Sequence, residues 1–459
     1  MYWGEREVRA APEWLAVKAF AAAILIGTLL LSLPAANARG LWTAPLTALF
    51  TATSATCVTG LIVVDTGSHF SPFGQSILLA LIQLGGLGIM TLGTFLLTLA
   101  GRRLRMQDEF VLRDSLGNER VRGLKSLLGR SILFTFLFEA AGTAVLAARL
   151  ITHYHYAPRE ALCFGVFHAV SAFCNAGFSL YADSLMRFQG DPVIVLTTSA
   201  LVILGGLGFI VLFNFSYIKF WRRDLISRER ITLHARIVLA ASTLLVLWGW
   251  AWFLLLEWNH TLDDLGAADK ILCALFQSVT PRTAGFNVVD TAALQPATLF
   301  HTMGLMFVGG SPASTAGGIK TTTLVVLVLT VVAMVRGRPE THIARRTIPA
   351  PVVREALSIV VLSMACLMVF FSALLLTESR GLLATTGCRT DDLLFETVSA
   401  FATVGLSTGI TAGLSAIGKL ILVVCMFVGR LGPLTIALII GTSEYGRVLR
   451  YPDEEVIVG

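Results

Sequence analysis

Residues Phe307 to Thr323 read FVGGSPASTAGGIKTTT and interrupt an apolar run that extends from Leu299 to Val335. A wholly helical run of about 37 residues would be about 55 Å long, whereas the hydrocarbon of a bilayer is about 30 Å thick. A single plain span is therefore excluded. Gly309, Gly310, Ser311, Pro312, Gly317 and Gly318 fall in its middle, so the helix is expected to break there into a small-residue loop at membrane depth. Such backbone is tolerated inside a bilayer only when protein buries it or it lines a water-filled cavity. A Gly/Pro kink, or two short helices joined at the surface, is the alternative. The loop is favoured because the rest of the chain supplies a pore for it.

The composition sets the class. Of 459 residues, 55% are hydrophobic and 14% charged, and the mean hydropathy is +0.76, so most of the mass lies in segments apolar enough to cross a membrane. The net charge of +6 does not point to nucleic acid, because the basic residues sit in short connections between apolar segments. Seven cysteines, including Cys57, Cys163, Cys174, Cys273, Cys366 and Cys425, show neither metal spacing nor a disulfide framework and read as packing residues. The start, an apolar run from Ala19 to Leu33 followed by Ala36, Asn37 and Ala38, imitates a cleaved signal peptide. A retained first helix is expected instead, because the preceding region is long, carries Glu5, Glu7 and Glu13, and opens a repeat.

That repeat occurs four times. Each unit has an apolar helix, a short apolar segment ending in a Gly-centred turn, a polar stretch and another apolar helix. The turns read ATCVTGLIVVDT (Ala55 to Thr66), AFCNAGFSLYAD (Ala172 to Asp183), TPRTAGFNVVDT (Thr280 to Thr291) and AFATVGLSTGIT (Ala400 to Thr411). Their central glycines are Gly60, Gly177, Gly285 and Gly405. A second landmark follows each: GGLG at Gly85, GGLG at Gly205, GGSP at Gly309 and GRLG at Gly429. The segments just before the turns, such as Pro45 to Thr56 and Leu393 to Thr403, are about a dozen residues, too short to span and long enough to dip halfway in. The expected fold is an all-α integral membrane protein of four pseudo-repeats, each helix, pore half-helix, filter loop and helix, with eight transmembrane helices around a central pore. Only the third unit's second helix is expected to be broken.

Lys and Arg cluster between the units, from Arg102 to Lys125, from Lys219 to Arg230 and from Arg336 to Arg346, so those loops and both termini are expected to be cytoplasmic. The layout is then a cytoplasmic N-terminus (1–15), pore repeats over 16–100, 127–218, 235–335 and 354–443, and cytoplasmic loops at 101–126, 219–234 and 336–353. An intramembrane gating loop lies at 309–320 and a C-terminal tail at 444–459.

A half-helix ending in mid-membrane points its negative pole at the centre. Four around an axis create a site for a cation. The turn after each needs extended backbone with inward carbonyls, which glycine permits, and rings of carbonyls replace the hydration shell of potassium. The expected ring members are Val58, Thr59 and Gly60; Asn175, Ala176 and Gly177; Thr283, Ala284 and Gly285; and Thr403, Val404 and Gly405. The expected gate comprises Gly309, Gly310, Ser311, Pro312, Ala313, Ser314, Thr315, Ala316, Gly317, Gly318 and Lys320, with Arg430 at the same level in the fourth unit. Arg430 either faces the pore as an electrostatic barrier or anchors the loop.

Asp65, Asp183 and Asp290 lie just outside the turns, as a cation-attracting vestibule or as ordinary loop aspartates. Glu139 and Glu396 lie in apolar segments, where an ionisable group is usually functional or paired; pairing with backbone amides or an arginine is expected. His168 is expected to be a packing residue.

The four turns, GGSPASTAGGIKT and Arg430 in FVGRLGPLT together resemble the potassium-translocating subunits of the bacterial Trk/Ktr systems, related to plant HKT transporters. Eight spans and the closing YPDEEVIVG resemble the KtrB type more than the TrkH type. The resemblance implies potassium as the transported ion, a homodimer held in part by the tail, and a bacterial inner-membrane location. It also implies a cytosolic ring of KtrA-like subunits that binds ATP or ADP, and sodium as activator. Within the family, serine at the first turn goes with sodium transport in some plant members; Gly60 here implies potassium.

Other function classes fit less well. A sodium-coupled symporter with alternating access tends to show inverted repeats, whereas these units all start on the same side. An enzyme is disfavoured because no nucleophile and base motif or metal-ligand cluster appears, and no nucleotide-binding glycine fingerprint follows a strand. The chain is expected to bind no cofactor itself.

Overall fold

In a computed structural model, residues 12–88, 124–217, 232–344, 346–379 and 389–432 are described. The cytoplasmic loops expected at 101–126 and 219–234 lie mostly outside them, as does the tail at 444–459.

The first unit contains α1 (Pro12–Ser32), α2 (Pro45–Thr56) and α3 (Pro72–Gly86). The second contains α4 (Leu124–Thr152), α5 (Pro158–Phe173), α6 (Pro192–Leu207) and α7 (Phe209–Tyr217). The third contains α8 (Leu233–Glu257), α9 (Ala267–Val279), α10 (Pro296–Phe307) and α11 (Thr321–Val335). The fourth contains α12 (Ala350–Glu378), α13 (Thr390–Phe401) and α14 (Ala416–Leu431). A two-residue hairpin, β1 (His342–Ile343) with β2 (Arg346–Thr347), joins the last two units.

Helix starts follow local chemistry. Pro45, Pro72, Pro158, Pro192 and Pro296 occupy the first turn, where a missing N–H costs nothing. Ser71 accepts from the Gly74 amide at 3.2 Å, Asp191 from the Val193 amide at 2.9 Å and Ser415 from the Gly418 amide at 3.0 Å, satisfying otherwise unpaired donors.

Among the described residues three helices, Gly129–Thr152, Leu233–Glu257 and Ala350–Glu378, are long and apolar enough to cross a membrane, and four shorter apolar helices accompany them. Their outer faces carry bare Leu29, Leu244 and Leu376, each 70–78% exposed, a surface suited to lipid rather than water. The chain is a multi-pass membrane protein. The short helices α2, α5, α9 and α13 lie inside, with Phe50, Phe173, Phe276 and Phe395 almost fully buried. Ala52, Ala55, Ala169, Ala172 and Ala400 have no exposed surface, and such small residues let helix backbones approach closely.

The segment that imitates a signal-peptide cleavage site is built into the fold. Ala36 is fully buried, its carbonyl accepts from the Ser71 amide at 2.9 Å, and a methyl group on Gly74 would lie 2.3 Å from that oxygen.

The expectation that only the third unit's second helix breaks is corrected. In the second unit α6 stops at Leu207, Gly208 takes φ +86°, and α7 begins at Phe209. In the first and fourth units Gly88 and Gly432, the closing glycines of GGLG and GRLG, take φ +81° and +87°. All three dihedrals are left-handed, which stops an α-helix and suits glycine.

Candidate functional site

The four short helices end at Thr56, Phe173, Val279 and Phe401. After each, the backbone reverses through a residue of positive φ: Val58 (+56°), Asn175 (+58°), Thr283 (+73°) and Thr403 (+51°). Two residues later come Gly60 (+92°), Gly177 (+69°), Gly285 (+77°) and Gly405 (+93°). Left-handed conformations cost a non-glycine residue roughly 1–2 kcal/mol, so four such pairs persist only because their surroundings enforce them.

The turns meet in a closed ring. A methyl group on Gly60 would lie 2.5 Å from the Ala176 carbonyl oxygen, one on Gly177 2.9 Å from that of Ala284, one on Gly285 2.5 Å from that of Val404, and one on Gly405 2.0 Å from that of Thr59. Each glycine thus packs against the carbonyl that precedes the next unit's glycine, in the order one, two, three, four and back to one. All twelve residues expected in the ring are at this junction, and each of those not glycine is at most 1% exposed.

The ring opens on one side to a cavity of about 430 Å³ lined by the four glycines and by Asp65, Asp183 and Asp290. Each aspartate is held by its own loop. Asp65 accepts from the Ser68 amide at 3.0 Å, and Asp290 from the Ala292 amide at 3.0 Å. Asp183 pairs with Arg187 at 2.8 Å, and this bond holds the guanidinium more firmly protonated than usual. Asp183 therefore lends the cavity less negative charge than its neighbours.

On the other side lies the stretch from Val308 to Lys320. It leaves α10, returns beside itself with the Ile319 amide donating to the Phe307 carbonyl at 3.1 Å, and enters α11 with the Thr321 amide on the Gly310 carbonyl at 3.1 Å. Gly309 and Gly318 face each other across this neck, and Gly317 sits so close to the end of α13 that a methyl would lie 2.0 Å from Thr403 Oγ1. Ala313 has φ +54° at the tip, and Ser314 donates to the Ser311 carbonyl at 2.6 Å. The loop docks on the break in the second unit: the Ser311 and Thr315 amides donate to the Gly206 and Gly205 carbonyls, and the Phe209 amide to the Ala313 carbonyl. Pro312 shares this contact, its carbonyl lying 2.5 Å from a methyl built on Gly208. Ser311 also meets Thr321 at 3.2 Å. Lys320 donates to the Ala316 carbonyl at 2.8 Å, so its ammonium is tied to the loop itself.

Arg430 bridges. One guanidinium nitrogen donates to the Thr315 carbonyl at 2.6 Å and the other to the Gly85 carbonyl. Of the two readings of Arg430, its bonds match the anchor, because they join the loop to the second helices of units one and four.

The recurrence of the second glycine landmark has a physical cause. A methyl on Gly85, Gly205 or Gly429 would lie 1.9–2.0 Å from the carbonyl oxygen of Thr56, Phe173 or Phe401, the last residue of the short helix in the same unit. The second helix therefore presses its bare backbone against the end of the short one. In the third unit Gly309 meets Gly317 instead.

Of the buried acids, Glu396 has a backbone partner as expected, at Thr408, and the other bonds of both acids come from side chains. Glu139 accepts from the Gln83 side-chain amide at 3.4 Å and from the Cys174 thiol at 3.7 Å; Glu396 accepts from the hydroxyls of Ser407 and Thr411. Among the described residues neither pairs with an arginine. Short-range hydroxyl and amide donors satisfy a buried carboxylate without a second charge to desolvate. His168 packs as expected, with Nδ1 donating to the Phe164 carbonyl at 2.8 Å and Nε2 3.0 Å from Ser179 Oγ.

Sequence reasoning passed over Arg282. It is 8% exposed, sits beside Thr283, and donates to the Ser242 hydroxyl at 3.1 Å. The available signal was its being the one charged residue between the end of a short helix and its glycine.

Known proteins share this architecture. A sequence profile of the TrkH family, described as cation transport protein, matches residues 7–444. The chain is 39% identical over 458 residues to the Ktr system potassium uptake protein B of Bacillus subtilis, covering 98% of each. It is 36% identical over 457 residues to the potassium/sodium uptake protein NtpJ of Enterococcus hirae, again covering 98% of each. The crystal structure of the potassium transporter TrkH from Vibrio parahaemolyticus superposes with a TM-score of 0.70 at 17% identity, covering 95% of this chain and 86% of that one, a likeness of fold. With a profile match over nearly its whole length, and relatives this similar from end to end, the chain belongs to the TrkH family of cation transport proteins.

Proposed function

We propose that this chain is the potassium-translocating, channel-like subunit of a bacterial potassium uptake system. The closed ring of four glycine turns carries the reading. Three carbonyl levels per turn, from Val58 to Gly60 and its three counterparts, serve as the selectivity filter, and the negative poles of four short helices favour a cation beside it. Asp65 and Asp290 concentrate cations in the outer cavity. The loop from Gly309 to Lys320, tethered by Arg430, is the gate. The similarity to the Bacillus protein, named for potassium uptake, supports potassium as the ion. In this reading the chain works as a homodimer in the inner membrane, controlled by a KtrA-like cytosolic ring that binds ATP or ADP. The relative named for potassium/sodium uptake gives weight to sodium, as activator or as a coupled ion in a symporter.

Growth of an uptake-deficient bacterium at limiting potassium tests the reading, with and without a regulator of this kind. Restored growth is expected, and potassium uptake that strictly requires a sodium gradient would favour the symporter. Orientation is tested separately. A tag at Ser68 is expected to be reachable only from outside, and one at Ser115 or Ser227, both outside the described residues, only from the cytosol. The reverse labelling would place the filter on the wrong side.

A further inference from the structure

Each short helix has a buried hydroxyl behind its turn, in its last turn or, for Thr280, just past its end. Ser54, Ser171 and Ser399 lie six residues before their glycines, and Thr280 lies five before Gly285; all four are at most 1% exposed. Their backbone carbonyls do one job in common. They accept from the amide of the residue preceding the glycine: Thr59 to Ser54 at 2.8 Å, Ala176 to Ser171 at 2.7 Å, Ala284 to Thr280 at 2.9 Å and Val404 to Ser399 at 2.8 Å.

The side chains divide into two pairs. Ser54 Oγ accepts from the Gly60 amide at 3.1 Å and Ser399 Oγ from the Gly405 amide at 3.0 Å. Ser171 Oγ instead donates to the Phe178 carbonyl at 2.8 Å, and Thr280 Oγ1 donates to the Phe286 carbonyl. The first pair therefore grips the peptide before the exit of the turn, and the second pair grips one farther out.

In a planar trans peptide the N–H and the C=O point in opposite directions. An amide drawn back onto Ser54 therefore turns the Thr59 carbonyl away from the helix, and Ser399 does the same for Val404. Those two oxygens are the ones against which Gly405 and Gly285 pack. Glycine's dihedral freedom makes the same peptides easy to rotate, and a rotated peptide would present N–H to a cation in place of an oxygen.

From this we infer that Ser54 and Ser399 are specificity-determining positioning residues, which hold the Thr59 and Val404 carbonyls toward the ion and so set the preference for potassium over sodium. The inference rests on the filter reading above. Ser171 and Thr280 hold carbonyls beyond the glycines and leave ring orientation in their units to the backbone alone.

The test is sodium competition against potassium uptake in proteoliposomes of the full chain. Ser54→Ala and Ser399→Ala each remove the side-chain acceptor of a buried amide, and the potassium preference is expected to fall about tenfold. Ser54→Cys keeps the volume with a weaker acceptor and is expected to lose about threefold. Ser171→Ala is expected to stay within about twofold of wild type. The graded order serine, cysteine, alanine separates orientation from packing, since a packing role would follow side-chain volume. Should Ser54→Ala fail to fold, Ser54→Cys decides: native preference in it overturns the inference. So does native preference in folded Ser54→Ala, or an equal loss in Ser171→Ala. Wild-type protein with no potassium preference would overturn the filter reading and this inference together.

Discussion

Gly60→Ser is expected to reduce the preference for potassium over sodium by about tenfold or more, with uptake of both ions retained. Two independent costs act on this position. Its φ of +92° charges any side chain roughly 1–2 kcal/mol in the left-handed region. The added Cβ would lie 2.5 Å from the Ala176 carbonyl oxygen, so that oxygen, a ring member of the next unit, must move outward. About 1.4 kcal/mol of differential binding is a factor of ten, and displacing one coordinating oxygen is of that order for a bound cation. The serine hydroxyl supplies a replacement ligand that discriminates less, because its position is not fixed by the backbone of two units. Competition between the two ions in vesicles measures the effect. Gly60→Ala, which brings the Cβ without the hydroxyl, should lose potassium uptake itself. A serine variant with native selectivity would remove Gly60 from the filter.

Particular elements explain what the sequence could reveal. The helix Pro45–Thr56 coincides with the segment expected from its length and its flanking proline and turn, whereas the fourth short helix runs from Thr390 to Phe401 rather than from Leu393 to Thr403. Its first turn carries Asp391 and Asp392, polar residues that pay for themselves by capping and so leave no apolar mark. The stretch between Gly309 and Lys320 was visible because seven glycine, serine and proline residues gather in one place. The break at Gly208 was not, since a glycine pair in an apolar run reads as helix packing until the dihedral of the glycine that follows it is known. The four GG and GR landmarks were legible as a pattern yet not as a contact. In three of them the cause, a helix backbone pressed on the carbonyl end of another, joins residues such as Gly205 and Phe173 that sequence spacing does not relate. Partner choice was least legible. Glu396 finds Ser407 and Thr411 in its own turn, while Glu139 of the second unit finds Gln83 of the first, and neither pairing has a sequence signature.

Deleting several residues between Gly310 and Gly318 is expected to raise the maximal potassium flux and to reduce dependence on a cytosolic regulator, with selectivity retained. The loop packs against Thr403 through Gly317 and hangs from the second unit through the Gly205 and Gly206 carbonyls, beside the ring. In the proposed reading it obstructs an ion there by volume and by denying it water. Its neck is closed by the Ile319 and Thr321 amides, and a deletion that spares Gly310 and Ile319 keeps both bonds between α10 and α11. Arg430→Ala tests the same gate without shortening it. The guanidinium donates to the Thr315 and Gly85 carbonyls, and charge-assisted bonds of this kind contribute about 1.5–3 kcal/mol each. Losing the tether to Thr315 is expected to free the loop and raise flux several-fold, by less than the deletion does because the bonds to Gly205 and Gly206 remain. If the stretch were only a kink between two helices, shortening it would misplace both, and expression and uptake would fall together. Flux per reconstituted protein, measured for both variants alongside their folded yield, separates these outcomes. A well-folded deletion variant with unaltered flux and full dependence on the regulator would exclude the loop as gate while leaving the ring of glycines as the potassium pathway.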